Sequence, residues 1–536
     1  MLRPAFLRAA LPALLLIGVG LFAARPAPAQ LAPYSEAVAA RFPAPRLDYE
    51  APVLADGRDD FSSNDELAAV LNRLARSGGS NGTRIEGLDL GRSQEGVTIQ
   101  ALRFSRGAGR PVVLLIGQQH GDEPAGAEAL LVIARALAGE ATAGPSLAAL
   151  LDRIDVIVLP RANPDGAAWG RRVAANGFDI NRDHLLLRTP ESQAIARLVR
   201  EHRPVVVVDA HEHTVVGRYR EKFNAVQRND MLLQYAMAAN LPPALSRASE
   251  DWFRQPVLAA LAAQGLRTEW YYTNSTAPGN LRLSMGGVQP DTGRNVNGLR
   301  HAVSLLLETR GVGIGRLHLA RRMQAHVVAL RTVLASAADH AADLQALQAA
   351  ADAEVAATAC RGSVVVAATT TPTRRELLML DPDTGADKPL QVDWDSALQL
   401  RTQLERPRPC GYWLAADETA AVSALRALGL RVQTLDKPLA LQAEAWVEQA
   451  RGEMARPDVR GSVADGRQTI LRVQASLAPS HAFRAEPGSH YVPLDQPYAN
   501  LAIAALEPDT QNSFFANRVL TRLDAAMRVT VRPEGF

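Results

Sequence analysis

Along the first two thirds of the chain, runs of Val, Ile and Leu alternate with Ala- and Leu-rich segments. Val112–Ile116, Ile154–Leu159 and Val205–Val208 read as strands, and Ser304–Leu307 as a last one. Gly126–Leu137 and Ser192–Glu201 read as the helices between them. Nearly uninterrupted apolar runs are expected of strands in a sheet covered on both faces. Strands that alternate with helices predict an α/β domain. Ahead of this block, residues 30–60 are mixed, with scattered Pro, and form a lead-in. Residues 64–76 suit a helix, and the alternation around VTIQALRF predicts a hairpin between about 83 and 105. Trp252–Gln264 reads as helical and Thr268–Tyr272 as extended.

From Leu317 to Glu354 the chain is a long helical stretch, after which GSVVVAATTTPTRRELLML turns strand-like and Thr-rich. A boundary is placed near 345–360. The expected organisation is an export signal at 1–29, a catalytic domain at 30–345 and a C-terminal accessory domain of α+β or β type at 346–536, with a helix at Thr419–Leu428. The first segment has Arg3 and Arg8 before an apolar run, Ala9–Ala24. Ala27 and Ala29 follow in a small-x-small pattern, so a cut after Ala29 is expected. The run is shorter than the roughly 20 apolar residues a membrane span requires. No other segment could span, so the mature protein is expected to be soluble, in the periplasm or secreted. In an oxidising compartment Cys360 and Cys410 are permitted one disulfide, with two unrelated buried thiols as the alternative.

Composition narrows the functional classes. Of the 536 residues 47% are hydrophobic and 21% charged, and 58 basic residues stand against 56 acidic, for a net charge of +2. No basic run stands out and aromatic residues make up only 5%. A nucleic-acid partner is therefore not expected.

The chemistry gathers where the strands end. After Val112–Ile116 comes GQQHGDEP, with His120, Asp122 and Glu123 in a turn. After Val205–Val208 comes Asp209-Ala210-His211-Glu212-His213, after Ile154–Leu159 comes PRANPDG, and after Ser304–Leu307 comes Glu308-Thr309-Arg310. In open α/β sheets the ligand crevice lies beyond the carboxyl ends of the strands. These strands would bring His120, Glu123, His211 and Glu308 to one edge. Two histidines and a carboxylate make a three-ligand set for a catalytic zinc ion, with a fourth position left for water. Glu308 is then free for proton transfer. Glu212 is expected to face away from His211, because alternate residues of an extended chain point to opposite sides. Asp122 reads as a loop residue or a neighbour of the ligands, and His213 could line the cleft. His184, His202, His301, His318 and His326 read as surface or helix residues.

With these pieces in place, the sequence resembles the zinc carboxypeptidases of the M14 type. The resemblance covers roughly residues 85–315 and rests on HGDE at 120–123, NPDG at 163–166, NGFDINRD at 176–183, DAH at 209–211 and LLETR at 306–310, in that order. It implies a mixed, mostly parallel sheet flanked by helices, one Zn2+ per chain, and a peptide or small amide substrate with a free carboxylate. His120, Glu123 and His211 fall on the family's zinc ligands, and Glu308 on its catalytic glutamate. Asn181 and Arg182 fall on the pair that holds the terminal carboxylate. Asp179 falls on the carboxylate that orients the first zinc histidine, and Arg172, next to Arg171, on the arginine that steadies the oxyanion. One feature departs from the pattern. The interval before Glu308 lacks the family's substrate-binding tyrosine, so Tyr272 or its neighbour Tyr271 would have to swing in, or Arg294 take the role. Two other readings compete with a carboxypeptidase: a zinc deacylase of the succinylglutamate desuccinylase/aspartoacylase type acting on N-acyl amino acids, and an inert binding protein on the same fold.

Overall fold

The apolar runs assemble into one eight-stranded sheet in the computed structural model, which describes residues 33–79, 82–460 and 469–535. The expected export signal at 1–29 lies outside the described residues. The strands are β1 (Arg84–Arg92), β2 (Thr98–Ser105), β3 (Val112–Gly117), β4 (Asp155–Leu159), β5 (Val206–Thr214), β6 (Met231–Tyr235), β7 (Thr268–Trp270) and, after two short strands β8 (Thr273–Asn274) and β9 (Leu283–Ser284) of another sheet, β10 (Val303–Val312). Their order is β1-β2-β4-β3-β5-β10-β6-β7. The centre, β4-β3-β5-β10, is parallel, and antiparallel pairs flank it. The sheet is therefore mixed, as expected.

Both faces are covered, which is why its strands read as unbroken apolar runs. Val113 and Leu115 of β3, Val206 and Val208 of β5, and Leu305 and Leu307 of β10 share a core with helix residues Leu130, Ile133, Leu330 and Val333. Leu114, Ile116 and Val207 point the other way, onto Ile195, Leu198 and Val199 of the helix Pro190–His202. The period of two along each strand sorts these side chains between the layers. The expected helix at 317–354 is two helices, Leu319–Asp339 and Ala341–Ala357, broken at His340. Among the described residues no helix is long and apolar enough to cross a membrane.

The boundary expected near 345–360 falls in the second of these helices and the turn after it. Beyond it, β11 (Ser363–Leu380) and β12 (Asp387–Pro407) form a long antiparallel hairpin. β12 also pairs with β9, so this hairpin is stitched to a loop that precedes Glu308. A six-stranded sheet and a smaller hairpin, Trp446–Ala455 with Thr469–Leu477, complete the C-terminal region. Cys360 and Cys410 are joined, with Cα atoms 4.3 Å apart.

Candidate active site

Two strands run further than their apolar runs suggest. β5 continues past Val208 to Thr214 and β10 past Leu307 to Val312, so His211 and Glu308 sit inside strands rather than after them. They are direct partners across the parallel pair β5–β10. Several of the polar residues at 209–213 and 308–310 find partners there, Asp209 in Gln119, Glu212 in Arg322 and Thr309 in His326. Glu212 points away from His211, as expected, into a buried ion pair with Arg322 at 2.6 Å. The His213 Nδ1 lies 3.1 Å from the Glu308 carbonyl oxygen, and burial, then Arg310, holds the ring down to about 3, neutral.

The first ligand pair comes from the turn after β3. Gln118 adopts a left-handed conformation (φ 49°) and swings the chain out of the strand. Gly121 must be glycine, since a Cβ there would collide with the backbone of Gly166 in the NPDG turn. That second turn is held by Asn163, whose Oδ1 accepts from Gly166 N at 2.9 Å and whose Nδ2 donates to Gln119 O at 3.1 Å. Glu123 occupies the cap position of the helix Pro124–Leu137 yet does not cap it. Pro124, with no N–H to satisfy, makes that possible, and the Glu123 carboxylate turns to the histidines.

Glu123 Oε1 is 2.8 Å from His120 Nδ1, Glu123 Oε2 is 2.7 Å from His211 Nδ1, and the two Nδ1 atoms are 3.0 Å apart. One ligand atom from each of the three residues lies within 4.8 Å of the others, and all three side chains are buried. The opposite nitrogen of each ring faces a carboxylate: His120 Nε2 is 3.1 Å from Asp179 Oδ1 and His211 Nε2 is 2.9 Å from Asp209 Oδ1. A ring nitrogen that donates to a carboxylate leaves the other nitrogen's lone pair for a cation, the usual arrangement behind metal-bound histidines. Burial alone would lower the His211 ring, but Asp209 and Glu123 raise it well above its ordinary range. Burial likewise works to raise Glu123, and the two imidazoles hold it well below the usual carboxylate range. The centre thus favours positive charge, and its donors suit a divalent transition metal.

The other expected residues divide. Arg172 is at the centre, with Nη2 2.9 Å from Asp179 Oδ2 and Nη1 3.2 Å from Glu123 Oε1. Its neighbour Arg171 lies over the ring of Trp169 instead. Asn181 is behind His211, with Nδ2 3.4 Å from its Nε2, and its Oδ1 accepts from Gly293 N at 2.8 Å. Arg182 donates from Nε to Asp458 at 2.7 Å. Tyr272 is 1% exposed and packs between Tyr219 and Trp394, and with Tyr271 it lines the cavity beside Glu308. Arg294 is also buried. It donates to the Gly287 carbonyl at 2.8 Å and lies under the ring of Tyr271, which removes it from the cleft.

Several residues of the site were not anticipated. Asp209 stands two residues before His211 on the same side of β5, a placement that the period of two could have given. Gln119 donates to Asp209 Oδ2 at 2.6 Å and sits 2.8 Å from His184 Nε2, so His184 is a buried member of this network and not a surface residue. Tyr271 was named beside Tyr272 as a tyrosine that could swing in, whereas Asp458 and Arg460 had no signal in the sequence. A cavity of about 430 Å³ opens beside Glu308, lined also by Arg172, Arg218, Tyr271 and Arg460.

The mixed sheet carries at its edge a buried His–Glu–His cluster that could hold a metal ion, the arrangement of a metallohydrolase, and comparison with known proteins makes the class specific. The model of the M14 peptidase family, zinc carboxypeptidase, matches residues 73–288. Carboxypeptidase 2 of Trichophyton rubrum is 28% identical over 472 residues, covering 86% of this chain and 84% of the relative. Human carboxypeptidase D is 28% identical over 212 residues, 30% of this chain and 15% of the relative. A metallo-carboxypeptidase structure from Pseudomonas aeruginosa aligns with 53% of this chain and 70% of its own at 20% identity and a TM-score of 0.40. Residues 73–288 thus match the zinc carboxypeptidase family, and the similar proteins that align with most of the chain are carboxypeptidases, hydrolases that act on peptide bonds.

Proposed function

We propose that this protein is an exported, zinc-dependent carboxypeptidase that releases the C-terminal residue of peptides. The observation that carries the reading is the convergence of His120, Glu123 and His211 with Glu308 on the adjacent strand. Residues 30–345 would carry the chemistry and 346–536 would shape access to it. The Cys360–Cys410 disulfide supports an oxidising compartment.

His120, Glu123 and His211 would hold the ion, with Asp179 and Asp209 fixing the two rings. A zinc ion there supplies Lewis-acid polarisation of the scissile carbonyl and acidifies water. Glu308 takes the proton of the attacking water on its carboxylate and delivers it to the leaving amine nitrogen. Burial and the nearby Glu123 push the Glu308 carboxyl up to about 7, which suits a group that must both accept and return a proton near neutrality. Arg172, at the edge of the centre, offers N–H groups to charge that develops on the carbonyl oxygen, where stabilisation raises rate.

The test is hydrolysis of a blocked dipeptide with a free carboxylate. Loss of turnover with a chelator and its return with zinc are expected. Turnover only of N-acyl amino acids would move the protein to the deacylases, and absence of bound metal in the purified protein would make it a binding protein.

A further inference from the structure

The strand Trp446–Ala455 of the C-terminal region leads into the strap Arg456-Pro457-Asp458-Val459-Arg460, of which Asp458 pairs with Arg182 and Arg460 lines the cavity beside Glu308. Arg456 is buried and donates to Asp291 Oδ2 at 3.0 Å and Asn512 Oδ1 at 3.1 Å, which ties the strap down. Asp458 accepts from Arg182 Nε at 2.7 Å, and the two side chains are 7% and 11% exposed. Arg182 also donates from Nη1 to the Asn181 carbonyl at 2.7 Å. The arginine that the family resemblance assigns to a substrate carboxylate is therefore already paired with a carboxylate of its own chain. Burial works to raise the Asp458 carboxyl, but Arg182 and Arg460 hold it below the usual range, so it stays charged. Breaking such a buried pair is costly.

Arg460 turns the other way. Its backbone N–H donates to Asp458 Oδ1 at 2.8 Å, and its guanidinium lines the cavity beside Glu308, with Nη2 3.4 Å from the Tyr271 hydroxyl. Among the described residues its Nε has no hydrogen-bond partner and no carboxylate forms an ion pair with its side chain. Arg218 and Arg172 line the same cavity, together with Asp122. A planar guanidinium with free N–H groups in a confined pocket is suited to two-pronged binding of a carboxylate.

We infer that Arg460, delivered by the C-terminal region, receives the free carboxylate of the substrate, and that Asp458 withholds Arg182 from that task. The inference rests on the carboxypeptidase reading above. It makes the C-terminal region part of the specificity machinery of the sheet-edge site.

The experiment uses the full-length, zinc-loaded protein. Steady-state kinetics compare a blocked dipeptide with its C-terminal amide, and calorimetry measures binding of N-acetylphenylalanine against its amide. Wild-type turnover tests the carboxypeptidase reading; the binding arm tests Arg460 whether or not turnover is seen. Arg460→Gln is expected to raise KM for the acid, and weaken N-acetylphenylalanine, by about 30-fold or more, the usual loss when one partner of a close charge pair is removed. At pH values well above the Glu308 limb the amide ligands should be unaffected, and kcat should change far less than KM. Arg460→Lys, which keeps the charge, should recover part of the loss and guards against a misfolded glutamine variant, as does thermal unfolding of each. Arg460→Gln without effect on acid binding would overturn the inference. So would Arg182→Lys, which keeps the charge beside Asp458, weakening N-acetylphenylalanine as strongly as Arg460→Gln does, since Arg182 would then hold the carboxylate itself.

Discussion

The metal cradle and the arginine pocket face each other across Glu308, and they are built on opposite principles. In the cradle, carboxylates outnumber imidazoles: Glu123 lies between the rings, and Asp179 and Asp209 stand behind them. In the pocket, Arg172, Arg218 and Arg460 gather with Tyr271, while Glu212 of its lining is neutralised by Arg322 and Asp122, Glu221 and Glu308 also line it. One side accumulates the charge that holds a cation, the other the charge that holds an anion. The cradle comes from one end of a single sheet, over residues 118–211. The pocket is shared between that sheet and a strap more than two hundred residues further on. The difference teaches that the chemistry is a property of the sheet edge, while selection of the substrate is borrowed from the appended region.

The largest effect should come from the residue between the two. Glu308→Gln preserves size and hydrogen bonding but cannot accept a proton. A decrease of about 10²–10⁴-fold in kcat is expected, the usual contribution of a positioned general base. Metal content, measured on the purified protein, should be unchanged, because Glu308 is not one of the three converging ligands. A variant that turns over at the wild-type rate would remove Glu308 from the mechanism, and one that loses its metal would place Glu308 in the cradle.

A smaller effect is expected behind the rings. Asp209→Asn and Asp179→Asn each replace a charged acceptor of a histidine N–H by a neutral one. Such changes weaken metal binding by about 10–100-fold. The two need not be equal. Asp179 is also bound by two nitrogens of Arg172, whereas Asp209 is backed by Gln119 alone among the side-chain amides. Asp179→Asn should therefore also disturb Arg172 and reduce kcat in zinc-saturated enzyme, while Asp209→Asn should be restored by excess zinc. Competition against a chelator of known affinity measures the first quantity, and kcat at saturating zinc the second. Equal behaviour of the two variants would show that Arg172 takes no part in the reaction.

The cradle was legible in the sequence because its parts are local. His120 and Glu123 share one turn, His211 and Glu308 follow recognisable apolar strands, and the sheet's topology does the rest. Asp209 was within reach by the same alternation that turned Glu212 away. The strand ends were misplaced because a run of polar residues usually marks the end of a strand, and here β5 and β10 carry buried polar residues whose partners, such as Arg322 for Glu212, are remote in sequence. The pocket was not legible for a stronger reason. Nothing in RPDVRG distinguishes a strap from an ordinary turn. Its role arises only because β12 pairs with β9 and the hairpin beyond carries Asp458 to Arg182. Tyr272 and Arg294 were plausible by position, but a loop sequence does not reveal that Tyr271 and Tyr272 are both buried in one core cluster or that Arg294 is tied to the Gly287 carbonyl.

The smallest effect joins the two regions electrostatically. Burial first, and the Glu123 carboxylate second, push Glu308 up to about 7, while His211 and Arg460 pull it down. A bound cation pulls in the same direction as Arg460, so the acidic limb of kcat/KM should lie below about 7 and above the ordinary glutamate range. The sign follows from the base being active as carboxylate: activity is present above the limb and is lost as pH falls through it. Removing a neighbouring positive charge makes the proton harder to remove. Arg460→Gln should thus move the limb to higher pH, by up to about one unit, the equivalent of about 1.4 kcal/mol. Arg460→Lys should leave it nearly in place, because the charge is kept even where the two-pronged geometry is lost. The pH profile of kcat/KM on the amide substrate isolates this effect from carboxylate binding. A limb that stays fixed in Arg460→Gln would mean that the pocket touches the cradle only through the substrate and not through the field at Glu308.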